Sequence, residues 1–148
     1  MIKLLFVCHG NICRSPMAEF VMKDLVAKQG RSAEFVIASA ATSTEEIGNG
    51  VYPPARAELR KHGIGCEGKR AVQLRREDYD KYDLLIGMDS ANIRNMQRVL
   101  GGDRQGKIRK LMDYTDRGGD VADPWYTDRF DVAYRDIYDG CMALLNTL

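Results

Sequence analysis

The residues best suited to chemistry lie in one short stretch near the start of the chain, VCHGNICRSP, at positions 7–16. Cys8 follows an apolar run, and Arg14 stands six positions later, directly before a Ser-Pro pair that is typical of a helix start. A strand, a turn and a helix N-terminus in succession form an anion site, because unpaired helix amides point outward there. Gly10 and Asn11 tolerate the backbone angles that let successive amides curl around an anion. Since Arg14 adds a guanidinium fork that can hold two oxygens of a phosphate, the stretch predicts a site for a dianion.

Cys8 is the candidate reactive group of this stretch. Because it is the last residue of a predicted strand, we expect its sulfur to point into the ring of amides, where positive potential favours a thiolate. Ser15 is placed to donate a further hydrogen bond to the sulfur. Two other phosphate-binding loops are excluded, because the Gly-Lys-Ser/Thr of a nucleotide loop and the glycine triplet of a dinucleotide fold are both absent.

The composition limits the other functions of the chain. It has 148 residues, with 22 Lys and Arg against 21 Asp and Glu, so no overall basic charge attracts nucleic acid. The four cysteines show no Cys-x-x-Cys pair and the two histidines stand far apart, which argues against a zinc site and a disulfide framework. No apolar run reaches the ~18 residues that a membrane span requires. We therefore expect a reduced, cytoplasmic protein without a metal, a nucleic-acid partner or a membrane partner.

Four short apolar runs have the length of buried strands, and helical patterns lie between them. The predicted strands cover 2–7, 35–38, 84–88 and 108–112. The predicted helices cover 16–29, 54–62, 90–100 and 128–145, the first with Ser15 as N-cap and Pro16 at its first position. Strands that alternate with helices predict right-handed crossovers and a doubly wound α/β sheet. The long irregular segments 42–53 and 113–127 are of the kind that carries function.

Positions 8–16 resemble the phosphate loop of the low-molecular-weight protein tyrosine phosphatases. The Cys-x5-Arg pattern is weak alone, but the Gly-Asn, the second cysteine and the Ser-Pro make it specific. Four later blocks extend the resemblance over nearly the whole chain: ASAATS at 38–43, PARAELRKHGI at 54–64, MDSAN at 88–92 and DPWY at 123–126. The resemblance implies one domain over 1–148, with a three-layer α/β fold in which helices flank a four-stranded parallel sheet of order 2-1-3-4. It places the phosphate loop between strand 1 and helix 1, and it implies phosphotyrosine phosphatase activity without a cofactor.

The same resemblance implies three catalytic residues: Cys8 as nucleophile, Arg14 as the group that holds the phosphate oxygens, and Asp123 as general acid. A departing tyrosyl oxide is costly to expel unprotonated, so an acid must approach from the side opposite the nucleophile. Asp123 precedes Pro124 in a predicted loop, although Asp-Pro is also a common turn dipeptide. The implied phosphate loop comprises His9, Gly10, Asn11, Ile12, Cys13, Arg14 and Ser15.

Further residues are implied around this loop. Asn11, Ser15, Ser39 and His62 match residues that tie the loop into shape, and Asp89 is an additional candidate for that role. His62 has a second interpretation, since a histidine before a helix-ending glycine also complements the helix dipole. The residues of the implied substrate cleft are Ile12, Glu45, Trp125 and Tyr126. Glu45 stands where mammalian members have a tryptophan on the other wall of the cleft.

The implied substrates are tyrosine-phosphorylated proteins or peptides, and inorganic phosphate is the implied product and competitive ligand. Three alternatives stay open. A protein-arginine phosphatase on the same scaffold is distinguished by a threonine at the position of Ile12, so Ile12 favours phosphotyrosine. A thiol-linked arsenate reductase uses further closely placed cysteines, whereas Cys66 and Cys141 lie far apart in sequence. A non-catalytic phosphoprotein-binding module is opposed by the intact catalytic set.

Cys13 has no part in the displacement and yet lies in the same loop as Cys8. A thiolate open to solvent is readily oxidised to sulfenic acid, and a neighbouring thiol can capture it before oxidation becomes irreversible. We therefore predict that Cys8 and Cys13 form a reversible disulfide. The alternative is that Cys13 only packs beneath the loop.

Overall fold

The computed structural model describes residues 1–148, and its centre is a sheet of four parallel strands. The strands are β1 (Ile2–Cys8), β2 (Phe35–Ala41), β3 (Leu84–Gly87) and β4 (Ile108–Lys110). Six helices connect and cover them: α1 (Arg14–Lys28), α2 (Pro53–Lys61), α3 (Asp78–Lys81), α4 (Ser90–Leu100), α5 (Pro124–Thr127) and α6 (Phe130–Leu145). The strand order is β2-β1-β3-β4, which confirms the predicted doubly wound α/β sheet and its order 2-1-3-4.

Alternate residues of β1 point to opposite sides of the sheet, and both sides are buried. Leu4, Phe6 and Cys8 belong to the larger hydrophobic cluster, to which α1 and α6 contribute. Leu5 and Val7 belong to a second cluster, to which α4 contributes. Burial of one such side chain stabilises the fold by roughly 1.5–3 kcal/mol. A shift of the strand by one residue would move every side chain to the opposite side of the sheet, so the orientation of each residue of β1 is strongly determined. Cys8 is thereby held on the side of the sheet that α1 covers.

The carboxyl ends of the strands meet at one edge of the sheet, because all the pairings are parallel. Cys8, the last residue of β1, pairs with Ala41 at the end of β2. Val7 pairs with Gly87 at the end of β3. Ligands of open α/β sheets bind outside this edge, so the fold places Cys8 where a ligand is expected.

The start of α1 differs from the sequence prediction. The helix begins at Arg14, two residues before Pro16, and Cys13 occupies the N-cap position. Ser15 therefore lies inside the first turn and does not cap the helix; its hydroxyl contacts the Cys8 sulfur instead. The predicted end is confirmed, since α1 stops just before Gly30, which adopts a left-handed φ of 70°.

The strand predicted over 108–112 is shorter than expected. It ends at Lys110, and Leu111–Tyr114 forms a 3-10 helix. Leu111 and Met112 are buried in that helix, and a short buried turn leaves the same apolar pattern as a buried strand. β2 runs three residues further than predicted, to Ala41, because it pairs with β1 along its whole length.

The remaining predicted helices are present with small shifts at their ends, at Pro53–Lys61, Ser90–Leu100 and Phe130–Leu145. The sequence did not indicate the two four-residue helices, Asp78–Lys81 and Pro124–Thr127, because one turn is too short to show a helical period. None of the helices combines the length and the apolar character needed to cross a membrane.

Candidate active site

The loop between β1 and α1 surrounds the sulfur of Cys8. β1 ends at Cys8 and α1 begins at Arg14, so only residues 9–13 join them. The backbone N–H of Asn11 donates to Cys8 Sγ at 3.3 Å, and Ser15 Oγ lies 3.0 Å from the same sulfur. The N-terminus of α1, with its unpaired amides, opens at the same place. An anion bound here has hydrogen-bond donors on several sides.

Asn11 holds this loop in its shape. Its φ of 57° lies in the left-handed region, which non-glycine residues rarely adopt. Its side-chain Nδ2 donates to Ser15 Oγ at 2.8 Å and to Ser39 Oγ at 2.9 Å. Its Oδ1 accepts from the backbone N–H of Val72 at 3.1 Å. One buried amide thus connects the loop to α1, to β2 and to the chain beyond α2.

A buried ion pair supports the far side of Ser39. Ser39 Oγ donates to Glu19 Oε1 at 2.5 Å, and Lys69 Nζ donates to the carbonyl of Ser39 at 3.0 Å. Lys69 Nζ also lies 3.7 Å from Glu19 Oε1. Burial lowers the pKa of Lys69, and the neighbouring Glu19 acts in the opposite direction. The ammonium and the carboxylate therefore fix Ser39, which in turn fixes Asn11.

His62 does not take part in this support, contrary to the prediction. Its Nε2 lies 3.0 Å from Glu58 Oε2, and its ring stacks on Tyr134 at a centroid distance of 3.7 Å. These contacts attach the end of α2 to α6 and do not reach the loop. Sequence reasoning missed Lys69, whose polar surroundings gave no signal. It also missed Glu19, although an acid on the buried side of α1 was a signal that could have been used.

Arg14 is oriented by three acceptors around its guanidinium. Nη1 donates to Asp89 Oδ2 at 2.7 Å and to the carbonyl of Val121 at 2.9 Å, while Nη2 lies 3.4 Å from Asp123 Oδ2. Burial alone lowers the pKa of Arg14, but the Cys8 sulfur, Asp89 and Asp123 outweigh it and raise the pKa above its usual value. With its side chain only 3% exposed, Arg14 is a fixed cation at the floor of the site.

Asp123 is held in place by the backbone that follows it. It is the N-cap of α5, and its Oδ1 accepts from the N–H of Trp125 at 3.0 Å. Pro124 occupies the first position of the helix, where its fixed φ is compatible with the turn. The second oxygen, Oδ2, is the one that faces Arg14. A sequence as short as Asp-Pro-Trp therefore directs a carboxyl group toward the Cys8 loop.

One pocket of about 250 Å³ brings most of the predicted site together. The three predicted catalytic residues and the four predicted cleft residues all line it. The complete lining is Cys8, His9, Gly10, Ile12, Cys13, Arg14, Glu45, Glu46, Asp123, Trp125 and Tyr126. Asn11, Ser15 and Ser39 lie behind this surface as buried supports. A nucleophile, a cation and an acid that share one pocket can together catalyse nucleophilic displacement of a leaving group from an anionic substrate.

The walls of the pocket differ in character. Trp125 packs against Tyr52 at a centroid distance of 5.0 Å, and Tyr126 is 85% exposed, so one wall is aromatic. The other wall is acidic, with Glu45 Oε2 3.1 Å from His9 Nε2 and Glu46 beside it. Sequence reasoning missed both Tyr52 and Glu46. Tyr52 stands next to Pro53, and Glu46 stands next to Glu45. The sequence did not indicate which side chain of either pair points toward the pocket.

The four cysteines are free and have different surroundings. Cys13 lines the pocket, and burial, together with the nearby Cys8 and Asp123, raises its pKa to about 12. Cys66 and Cys141 lie outside the pocket, and burial raises the pKa of both. No group of three or more His, Cys, Asp or Glu side chains is arranged to hold a metal ion.

The family model and the relatives that match this chain all belong to one family. The family model described as low molecular weight phosphotyrosine protein phosphatase matches residues 3–148. The low molecular weight protein-tyrosine-phosphatase YfkJ of Bacillus subtilis is 39% identical over 150 residues, which cover 100% of this chain and 96% of that protein. A rat low molecular weight phosphotyrosine protein phosphatase is 38% identical, covering 96% of this chain and 92% of the relative.

Solved structures give the same result. The crystal structure of YfkJ from Bacillus subtilis superposes with a TM-score of 0.95, covering 99% of this chain and 94% of that one, at 39% identity. The structure described as DARP, drosophila arginine phosphatase, superposes with a TM-score of 0.89, covering 99% of this chain and 97% of that one, at 26% identity. The scaffold therefore occurs in proteins named for two different substrates.

The position of Asn11 yields a prediction about stability. Asn11→Gly removes the three side-chain hydrogen bonds but keeps the left-handed backbone accessible, whereas Asn11→Ala also strains the backbone. We expect both variants to be destabilised, with Ala worse than Gly by about 1 kcal/mol. Urea denaturation measures the difference in the free energy of unfolding.

Asn95 in α4 provides the matched control. There the order should be reversed, because Gly is less stable than Ala in a helix by about 1 kcal/mol. Equal stability of the Gly and Ala variants at position 11 would contradict the role of backbone strain in the loop.

Proposed function

The chain belongs to the low molecular weight phosphotyrosine protein phosphatase family, and we propose that this protein-tyrosine-phosphatase hydrolyses phosphotyrosine through a phosphocysteine intermediate. The observation that carries this mechanism is the shared pocket, in which the Cys8 thiol, the Arg14 guanidinium and the Asp123 carboxyl line one cavity. The proposed substrates are tyrosine-phosphorylated proteins or peptides. Inorganic phosphate is the proposed product and a competitive ligand.

In the first proposed step, the Cys8 thiolate attacks phosphorus and the bond from phosphorus to the tyrosine oxygen breaks. Arg14 and the loop amides hold the equatorial oxygens while charge redistributes. The Nη2 side of Arg14 serves this purpose, since Asp89 and Val121 occupy Nη1 with hydrogen bonds of 2.7 and 2.9 Å, whereas the contact of Nη2 with Asp123 is longer, at 3.4 Å. Asp123 gives its proton to the departing oxygen, which avoids a free tyrosyl oxide.

In the second proposed step, water attacks the phosphocysteine and the bond from phosphorus to sulfur breaks. Asp123, now a carboxylate, takes a proton from that water. Cys8 leaves as a thiolate, which the Asn11 N–H at 3.3 Å and the Ser15 hydroxyl at 3.0 Å can stabilise. The same two contacts support Cys8 as nucleophile in one direction and as leaving group in the other.

The proposed reaction needs no cofactor, because side chains of the chain supply every proton and every charge that it uses. We propose that residues 1–148 act as one catalytic domain in the cytoplasm, where thiols remain reduced. An arsenate-reductase relay is disfavoured, since Cys66 and Cys141 do not line the pocket. A purely binding role is disfavoured by the presence of nucleophile, cation and acid together.

Phosphotyrosine is preferred over phosphoarginine in this proposal because of Ile12. Ile12 lines the pocket and offers a branched apolar surface to a phenyl ring, as does Trp125 on the aromatic wall. Phosphoarginine has a planar, polar guanidino group, which gains little from such a surface. The acidic wall with Glu45 and Glu46 would instead attract a cationic group that lies outside the phosphate loop.

The role of Asp123 is tested with two leaving groups. Asp123→Ala should slow hydrolysis of phosphotyrosine by ~10²–10⁴-fold and slow an aryl phosphate with an acidic phenol much less, because only the poor leaving group requires the proton. Steady-state kcat/KM for both substrates gives the ratio, because it reports only the steps up to departure of the phenol and not the shared hydrolysis of the phosphocysteine, in which Asp123 also acts. Asp120→Ala, in the same loop but outside the pocket, is the control. Equal losses on both substrates would exclude Asp123 as the acid, and turnover by Cys8→Ser would exclude the phosphocysteine.

The role of Ile12 is tested by exchange for threonine. Ile12→Thr should move the ratio of kcat/KM for phosphotyrosine and phosphoarginine peptides toward phosphoarginine, by roughly tenfold for the loss of one good apolar contact. Ile47→Thr makes the same exchange at an exposed position outside the pocket and should leave the ratio unchanged. A wild-type enzyme that already prefers phosphoarginine peptides would overturn the assigned substrate class.

We further propose that Cys8 and Cys13 protect the enzyme against peroxide as a reversible disulfide. Peroxide oxidises the Cys8 thiolate to sulfenic acid, and the Cys13 thiol then displaces water to form the disulfide. Burial raises the pKa of the Cys13 thiol far above neutral pH, so its thiolate fraction increases about tenfold for each unit by which the pH rises. Formation of the disulfide should therefore accelerate as the pH rises.

The measurement is recovery of activity with dithiothreitol after peroxide treatment. Wild type and Cys66→Ser should recover, because Cys66 lies outside the pocket, whereas Cys13→Ser should lose activity permanently. Equal recovery of Cys13→Ser, with no Cys8–Cys13 cross-link by mass spectrometry, would refute the protective role.

A further inference from the structure

A second cavity, of about 280 Å³, lies beside α2 and shares no lining residue with the active-site pocket. Four cationic side chains line it, Arg56, Arg60, Lys69 and Arg70, against one acidic side chain, Glu67. The charge of the whole protein is close to neutral, at +1. The lining of this cavity, with four cations and one acid, is therefore more positive than the protein as a whole.

The arginines of the cavity lack carboxylate partners. Arg56 and Arg60 are four residues apart on α2 and so lie on one face of it, where like charges repel. The neighbouring acid Glu58 is engaged by Lys61 at 3.5 Å and by His62 at 3.0 Å, and it does not neutralise them.

Arg70 and Glu67, which also line the cavity, leave the same imbalance. Arg70 uses Nη1 for the carbonyl of Gly48, at 2.9 Å. The carboxylate of Glu67 folds back against Gly65, where it lies 2.6 Å from the point a Cβ would occupy. One acid therefore stands against three arginines that have no carboxylate within ion-pair distance.

Lys69 lines the cavity and has a spare donor. Its side chain is only 11% exposed, yet its ammonium makes a single hydrogen bond, to the carbonyl of Ser39 at 3.0 Å. Glu19 Oε1, at 3.7 Å, is its ion-pair partner. An ammonium has three donors, so one is left for another acceptor after Ser39 and Glu19. A largely buried cation with a spare donor therefore adds to the positive charge that lines the cavity.

We propose that this cavity is a second oxyanion-binding site, which takes a small, multiply charged phosphate or carboxylate compound. Arginine forks match the paired oxygens of both groups, and the lysine supplies a point charge beneath them. Its volume is below the range of about 300–1,000 Å³ that is typical of drug-sized ligands, so the occupant is compact. Both classes of ligand carry several oxygens close together and a net charge more negative than −1. That charge balances the excess positive charge of the cavity.

The experiment follows backbone amide signals of the ¹⁵N-labelled full-length protein by NMR during titration with inorganic tripolyphosphate. We expect two separate saturable responses, one at residues 9–15 from the active-site loop and one at residues 67–70 from the second cavity. Arg56→Gln/Arg60→Gln should weaken the second response about tenfold or more, because charged hydrogen bonds are lost, and leave the first unchanged.

The matched control is Arg76→Gln/Arg104→Gln, which removes two arginines from a different cavity of about 220 Å³ and should leave both responses unchanged. A parallel titration with citrate distinguishes the two sources: a response at residues 67–70 shows that carboxylates bind, and a response to tripolyphosphate alone restricts the site to phosphates. The proposal is overturned if residues 67–70 do not respond to either anion, if their response survives the Arg56/Arg60 exchange, or if the control weakens it equally.

Discussion

The side-chain amide of Asn11 is the interaction on which the rest of the active site depends. A loop whose amides face one point needs a left-handed residue, and Asn11 supplies it at a φ of 57°. That conformation costs roughly 1–2 kcal/mol for a residue with a Cβ. Three hydrogen bonds from the same buried side chain, each contributing about 0.5–1.5 kcal/mol, offset the cost. The loop is thereby fixed in a strained shape before any ligand arrives.

The charged groups of the site are oriented in the same way. Arg14 is held by Asp89, and Asp89 is itself fixed as the N-cap of α4, where its Oδ1 accepts from the N–H of Asn92 at 2.7 Å. Asp123 is fixed as the N-cap of α5. Helix starts therefore position both carboxylates that contact Arg14. Dipoles and charges arranged beforehand need no reorganisation when charge develops on a substrate, which is the main electrostatic requirement for displacement at phosphorus.

The parts of the fold and of the pocket that could be predicted from the sequence are those whose residue pattern fits only one structural interpretation. Buried apolar runs indicated the four strands, and the Cys8–Arg14 spacing indicated the loop, because few other arrangements use a thiol, flexible residues and a guanidinium in that order. The supports behind the loop were predicted less well. Ser39 was found, but its partners Glu19 and Lys69 were not, since they meet only when α1 and the segment after α2 pack together.

The incorrect role for His62 has the same origin. Its position beside a helix-ending glycine fitted either of two interpretations, and only the packing of α2 on α6 decides that it contacts Glu58 and Tyr134. Likewise, Leu111 and Met112 were predicted as the end of a strand, because a short apolar run is found both in buried strands and in buried 3-10 helices. Side-chain contacts between distant segments are the part of a site that spacing alone does not specify.

The charge of the active-site pocket changes sign with depth. Arg14 lies at the floor with 3% of its side chain exposed, whereas Glu45, at the entrance, is 70% exposed. An inhibitor must therefore enter with a compact anionic group leading and a neutral or cationic group trailing. A molecule with negative charge at both ends would be attracted by the floor and repelled by the entrance, so adding charge to improve affinity would fail unless its position along the molecule is also controlled.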